Sequence, residues 1–322
     1  MKFGLLTVSY AGLFYAGNPL SIEQQIMKAK ELGFDGLSIE TKRPIASPLD
    51  LSKDDRKRIR SLAKDQGIEL CAVESMSNFT SDYMEERENN LAMMNYVLDL
   101  AHELDVSIVK VFAAWPGLVN DEELIASYRT YERGNYYKRL YPKDLRKWDR
   151  AVDGIREIAR KAKDLGITLA LQNHAPVITP GYEDVLSMME ELDCENVKLC
   201  LDVPLFYDRQ NDEYIKEAVE KCKDHMILSH YGAWNFIENE DGSIIQEPSP
   251  SFGGKINYKA FIKELVAANY NGYFVSEYCL PAIKNHKISG VEEIDKATRI
   301  TLKYMKQLVE QYAPSKMQKS MN

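Results

Sequence analysis

The segment at residues 168–174, TLALQNH, constrains this chain more than any other. A run of apolar or small residues stops abruptly at Gln172, Asn173 and His174, side chains able to bind a metal, a proton or a sugar hydroxyl. Three later segments finish the same way: VKLCLD at Asp202, MILSH at His230 and GYFVSE at Glu277. Each is a short apolar run after a helical pattern, which reads as a strand of a parallel sheet. In one closed barrel the C-terminal ends of all strands meet at one mouth, where barrel enzymes place their chemistry. Gln172, Asp202, His230 and Glu277 would then converge.

The rest of the chain repeats the same unit. Strands are predicted at residues 3–9, 36–40, 69–74 and 108–112, the second and third ending in Glu40 and Glu74. Between them lie helical patterns at 22–32, 52–66 and 84–104. Ser21 with Gln24 forms a capping box, and Gly33 and Gly67 act as stops. Further helices are predicted at 144–165, 182–192, 212–222, 258–268 and 291–308. Eight strand–helix units without a break in composition predict an α/β chain forming a single (β/α)8 barrel domain over residues 1–322. Long loops follow strand four (about 113–142, rich in aromatics and charges) and strand seven, and a polar tail begins near 314. A doubly wound open sheet would want a glycine-rich phosphate turn after the first strand, and Ser9-Tyr10-Ala11-Gly12 is not one.

Composition narrows the function. With 45% hydrophobic and 28% charged residues the chain can bury a sizeable core. A net charge of -8 argues against nucleic acid as a partner. Five cysteines, odd in number and without a CxxC spacing, suit reduced thiols and a cytoplasmic location. The N-terminus does not read as a signal peptide, and no apolar run reaches the roughly 18 residues that span a bilayer.

A lone acid at a strand end is most often a helix cap or an ion pair. Glu40, beside Lys42 and Arg43, and Glu74 are open to that reading as well as to substrate binding. The case for chemistry rests on four consecutive strands ending in Gln, Asp, His and Glu, a mixed oxygen and nitrogen set suited to a divalent metal such as Mn²⁺. His174 lies two residues past Gln172 and shares its side if the strand continues. An imidazole beside a metal suits a general base near neutral pH. The alternative role is a plain hydrogen bond to a substrate hydroxyl or a neighbouring loop. Trp115, Trp234 and the tyrosines of the first long loop can wall in a substrate or simply pack that loop onto the barrel.

The motifs LQNH, CLDVP, LSHYG and VSEY resemble the xylose-isomerase-like barrels of sugar isomerases, epimerases and related lyases. The resemblance implies a divalent metal, most often Mn²⁺, held by Gln172, Asp202, His230 and Glu277. Ketose epimerases of this kind usually carry Glu at the first of these positions and use it with the last Glu as an acid/base pair. They also tend to place His where this chain has Leu205. An amide can ligate but cannot exchange a proton, which speaks against symmetric two-carboxylate epimerisation. The segments GLLTVSYAGLFY, SIETKRP, AVESMSNFT, VKVFAAWPG and SHYGAWNF are similar to the α subunit of bacterial C-glycoside deglycosidases. That similarity implies a small β subunit as partner and a 3-keto sugar conjugate, flavonoid-like in its aglycone, as substrate. The implied reaction is a carbon–carbon lyase reaction: His174, with Glu277, serves proton transfer at C2, and the aryl group is eliminated from C1. A metal-dependent sugar isomerase or epimerase is the alternative, and a sugar-binding barrel without catalysis is a third reading.

Overall fold

In the computed structural model the described residues are 1–81, 83–115, 145–174, 178–206, 209–233, 235–248 and 254–313. Eight parallel strands close into a barrel in sequence order, the last pairing with the first. They are Lys2–Leu6, Gly36–Glu40, Glu69–Glu74, Ile108–Val111, Thr168–Gln172, Val197–Cys200, Met226–Gly232 and Tyr273–Glu277. Closure is made by the register Lys2↔Tyr273 on one side of the first strand and Gly4↔Gly36 on the other. Gly36 is required there, because a Cβ would sit 2.8 Å from the Glu69 carbonyl oxygen and from the Tyr273 ring.

The helices follow from local chemistry. Ser21 and Gln24 cap Ile22–Leu32 reciprocally, and Gly33 ends it at φ 84°. Ser52 and Asp55 do the same for Lys53–Gln66, which ends on Gly67 at φ 70°. Both glycines take the left-handed conformation that side chains resist. The remaining helices on the barrel are Met84–Glu103, Leu145–Asp164, Tyr182–Leu192, Asp212–Cys222, Tyr258–Ala267 and Val291–Tyr312. Leu5, Leu37, Val73, Val109, Leu169, Leu199 and Phe274 are fully buried. Each such side chain contributes roughly 1.5–3 kcal/mol by leaving water.

Two predicted strands end early. The first stops at Leu6, and Thr7–Tyr10 winds into a 3-10 turn whose four residues are all buried. The sixth stops at Cys200, so Asp202 lies two residues beyond it, before the short 3-10 turn Val203–Phe206. After the seventh strand, where the sequence pattern predicts a long loop, the chain forms an antiparallel hairpin, Phe236–Glu238 with Ile244–Gln246. Most of the first long loop, residues 116–144, and the tail at 314–322 lie outside the described residues. No described helix is long and apolar enough to cross a membrane, and all five cysteines are free.

Candidate active site

The ends of strands five, six and seven are stitched together by Asn173. Its Oδ1 accepts the Asp202 backbone N–H at 2.7 Å, and its Nδ2 donates to the Asp202 carbonyl at 3.2 Å. This fixes Asp202 although it lies past its strand. Asp202 Oδ1 in turn accepts the His230 backbone N–H at 2.7 Å. The other oxygen, Oδ2, accepts from Gln172 Nε2 and lies 2.9 Å from His230 Nδ1. Gln172 Nε2 is 3.1 Å from the same Nδ1. Three polar atoms from three strands thus crowd one point, on side chains only 1–3% exposed.

The cluster has the dimensions of a cation site. Ligands at about 2.1 Å around an octahedral ion are about 3 Å apart along each edge, the spacing seen here. Gln172 Oε1 is buried and makes no hydrogen bond among the described residues. Turning the amide over would place that oxygen among the donors. Cys200 also belongs to the cluster, its Sγ 3.5 Å from Asp202 Oδ1 and 3.6 Å from His230 Nδ1. Burial, reinforced by Asp202, pushes its thiol up to about 12.

Glu277 ends the eighth strand on the cavity that Gln172, His174, Glu40, Glu74 and Lys110 also line. Cys279 Sγ lies 3.7 Å from its Oε2. Burial pushes this carboxyl up, and Asp202 and Glu74 add to the shift while His230 and Lys110 oppose it, leaving it at about 7. Near neutral pH it can both hold and release a proton.

Glu74 stands in the opposite state. His230 Nε2 lies 3.0 Å from its Oε1, which also accepts from Ser38 Oγ, while Lys110 Nζ lies 3.3 Å from its Oε2. Burial alone would raise Glu74, yet His230 and Lys110 carry it down to about 2. Burial likewise opposes the charged imidazole of His230, but Asp202 and Glu74 on its two sides raise it well above its ordinary value. Asp202 is held below the usual carboxylate range, because the attraction of His230 and its hydrogen bonds outweigh burial.

His174 lines the same cavity, as its spacing from Gln172 predicts. Its ring meets Phe112 edge-on at 5.2 Å and Trp115 at 5.3 Å, and those two rings stack at 4.6 Å. An apolar wall therefore stands beside the imidazole. On the far side of the sequence repeat, Glu40 pairs with Lys42 at 3.0 Å, while its Oε2 is buried without a hydrogen-bond partner among the described residues. Trp234 and the loop tyrosines lie outside the described residues.

The strand-end pattern does not single out Lys110, Cys200 or Phe112, and it marks Asn173 as a polar end without showing that it fixes Asp202. Lys110 left a signal: a lysine inside the apolar strand IVKV, 2% exposed, must find a counter-charge. Register supplies it, since Glu74 is the cross-strand neighbour of both Glu40 and Lys110.

A closed parallel barrel with paired carboxylates, imidazoles and a buried amide at its C-terminal mouth defines a barrel enzyme with a candidate cation site. The profile of the xylose isomerase-like TIM barrel family matches residues 26–308, and the chain belongs to that family. Among curated proteins it is 22% identical over 277 residues to the fructoselysine 3-epimerase of Escherichia coli O157:H7, covering 83% of this chain and 89% of that one. It is 23% identical over 258 residues to the D-psicose 3-epimerase of Ruminiclostridium cellulolyticum, covering 72% and 79%. Among solved structures, a D-psicose 3-epimerase studied with D-fructose superposes with a TM-score of 0.70, at 19% identity over 96% of this chain and 99% of that one. A 3-keto-D-glucoside 4-epimerase from E. coli gives 0.66, also at 19% identity, over 95% and 99%. These superpositions establish the fold. The relatives are sugar epimerases, and they favour the isomerase or epimerase class over the lyase reading.

Proposed function

We propose that this chain is a divalent-metal-dependent sugar isomerase or epimerase that moves a proton at a carbon beside a sugar ketone. The observation that carries the reading is the meeting of Gln172, Asp202 and His230 at one point, with Glu277 on the same cavity. These four residues would hold the cation, with Mn²⁺ the best match to the donor set. When bound there, such a cation would polarise the ketone and stabilise the negative charge that builds on its oxygen.

The chain's own residues handle the proton. Gln172 cannot exchange one, and among the groups on the cavity wall we assign the transfer to His174 and Glu277. His174 removes the α-proton, and Glu277, on the same cavity wall, returns or relays one. Glu40, with an unsatisfied oxygen, accepts a hydrogen bond from a sugar hydroxyl. Replacement of the usual first acid by Gln172 is thus offset by an imidazole two residues on.

A second reading is favoured by one observation, the stacked Phe112–Trp115 pair beside His174, which suits a flat aromatic group. Under it, the same C2 deprotonation of a 3-keto C-glycoside leads to elimination of the aryl group. The chain would be the α subunit of a deglycosidase, working with a small β subunit. Manganese-loaded protein should be incubated with free ketoses and, separately, with a 3-keto aryl C-glycoside, and the products followed by NMR. Epimeric or isomeric sugar supports the first reading. Free aglycone without sugar epimerisation would replace it by the second, and full cleavage by the chain alone would remove the β subunit from that account. Turnover of neither substrate would leave only the sugar-binding barrel.

A further inference from the structure

We propose that Glu74 is a positioning residue for His230, fixing the imidazole so that Nε2 carries its hydrogen toward strand three and Nδ1 faces Gln172 and Asp202. The inference rests on the reading of that pocket as a cation site and adds a residue to it. An imidazole can offer a lone pair through either nitrogen, and the partner of the other nitrogen decides which one. Here the partner is unambiguous. Glu74 Oε1 lies 3.0 Å from Nε2, and a carboxylate can only accept from it. The Nδ1 atom points the other way, 2.9 Å from Asp202 Oδ2 and 3.1 Å from Gln172 Nε2.

The carboxylate is itself held from three sides. Ser38 Oγ donates to Oε1 from strand two, Lys110 Nζ stands 3.3 Å from Oε2 on strand four, and the His230 ring closes the third side. Lys110 is locked in turn, with its ammonium 3.7 Å above the Phe112 ring. Glu74 and Lys110 are direct cross-strand neighbours, so the backbone register sets their pairing. A chain of contacts therefore runs from the aromatic wall beside His174, through Lys110 and Glu74, to the imidazole at the cluster. With both oxygens engaged, Glu74 orients His230 and needs no contact with a substrate.

The test uses the full chain and Mn²⁺ as probe, comparing the parent with Glu74→Ala, Glu74→Gln and Asp202→Ala by calorimetry. Losing the hydrogen-bond partner of a ligating imidazole typically weakens metal binding about 10–100-fold. Glu74→Ala should show such a fall with unchanged stoichiometry, whereas Asp202→Ala should show strongly reduced occupancy. If Glu74→Ala fails to fold, Glu74→Gln, of the same shape but without the charge, carries the comparison with a smaller fall. In the Co²⁺-loaded parent, NMR should show a hyperfine-shifted, slowly exchanging imidazole N–H that is lost in Glu74→Ala. Binding and N–H signal unaltered in both Glu74 variants would overturn the proposal. Should the parent bind no divalent ion, the cation-site reading fails. The ¹⁵N-histidine correlation spectra of the metal-free parent and Glu74→Ala then decide for Glu74: a slowly exchanging His230 Nε2–H in the parent that is lost or exchanges fast in Glu74→Ala supports it, and an Nε2–H unchanged between the two overturns it.

Discussion

His230 on the seventh strand reaches across the barrel to Glu74 on the third, with Nε2 3.0 Å from Oε1. The imidazole is therefore shared between two carboxylates, Asp202 on one side and Glu74 on the other, both 1% exposed. Such a ring is held in one orientation before any ligand arrives, which makes the mouth of the barrel a preorganised site rather than a loose collection of strand ends.

The cation site is tested by composition. Metal analysis of the parent protein should give one divalent ion per chain, and Asp202→Ala should show strongly reduced occupancy. Full occupancy in that variant would place the ion elsewhere.

The ion pair inside the barrel makes a stability prediction. The side chains of Lys110 and Glu74 are each only 2% exposed, so removing one leaves the other charge buried with fewer partners. Lys110→Met should lower the unfolding free energy by on the order of 3 kcal/mol in urea at neutral pH. The double variant Lys110→Met with Glu74→Gln should recover part of that loss. An unchanged midpoint in Lys110→Met would show that His230 and Ser38 suffice to hold Glu74.

Glu277 gives a pH dependence of defined sign in the metal-free protein. Its folded-state value of about 7 lies above the ordinary 4.5, so the folded form favours the protonated acid. The stabilising contribution is complete below 4.5 and is lost as pH rises through about 7. Across that window stability should fall by on the order of 1–3 kcal/mol, since one pKa unit corresponds to about 1.4 kcal/mol. Glu277→Gln should lack this component. The check is thermal denaturation of both proteins, metal-free, from pH 4.5 to 8, and parallel curves would show that Glu277 ionises normally.

The fold was legible because its signals are local. Capping at Ser21 and Ser52 and the stops at Gly33 and Gly67 locate helices without any tertiary information. The abrupt ends at Gln172 and Glu277 mark the mouth for the same reason, whereas the seventh strand runs two residues past His230, to Gly232. What stayed hidden depends on register and reach. No sequence spacing joins Glu74 to His230, 156 positions away, or places Lys110 opposite Glu74. The early end of the sixth strand was hidden as well, because Asp202 is fixed by Asn173 from a neighbouring strand and not by its own ladder. The inward side of His174 was legible by spacing, but the stacked Phe112 and Trp115 beside it were not.

If the barrel moves a proton beside a sugar ketone and His174 takes it, that α-proton must exchange with solvent. The most direct measurement is exchange of that α-proton with deuterated water, followed by NMR for the Mn²⁺-loaded parent and for His174→Gln. The parent should exchange the proton of its keto-sugar substrate, and His174→Gln should keep its metal and fold while exchange slows by roughly 10²–10⁴, the usual loss for a missing general base. Undiminished exchange in His174→Gln would move the base role to Glu277. The absence of exchange in the metal-loaded parent, with ketoses and 3-keto-glycosides alike, would contradict the account.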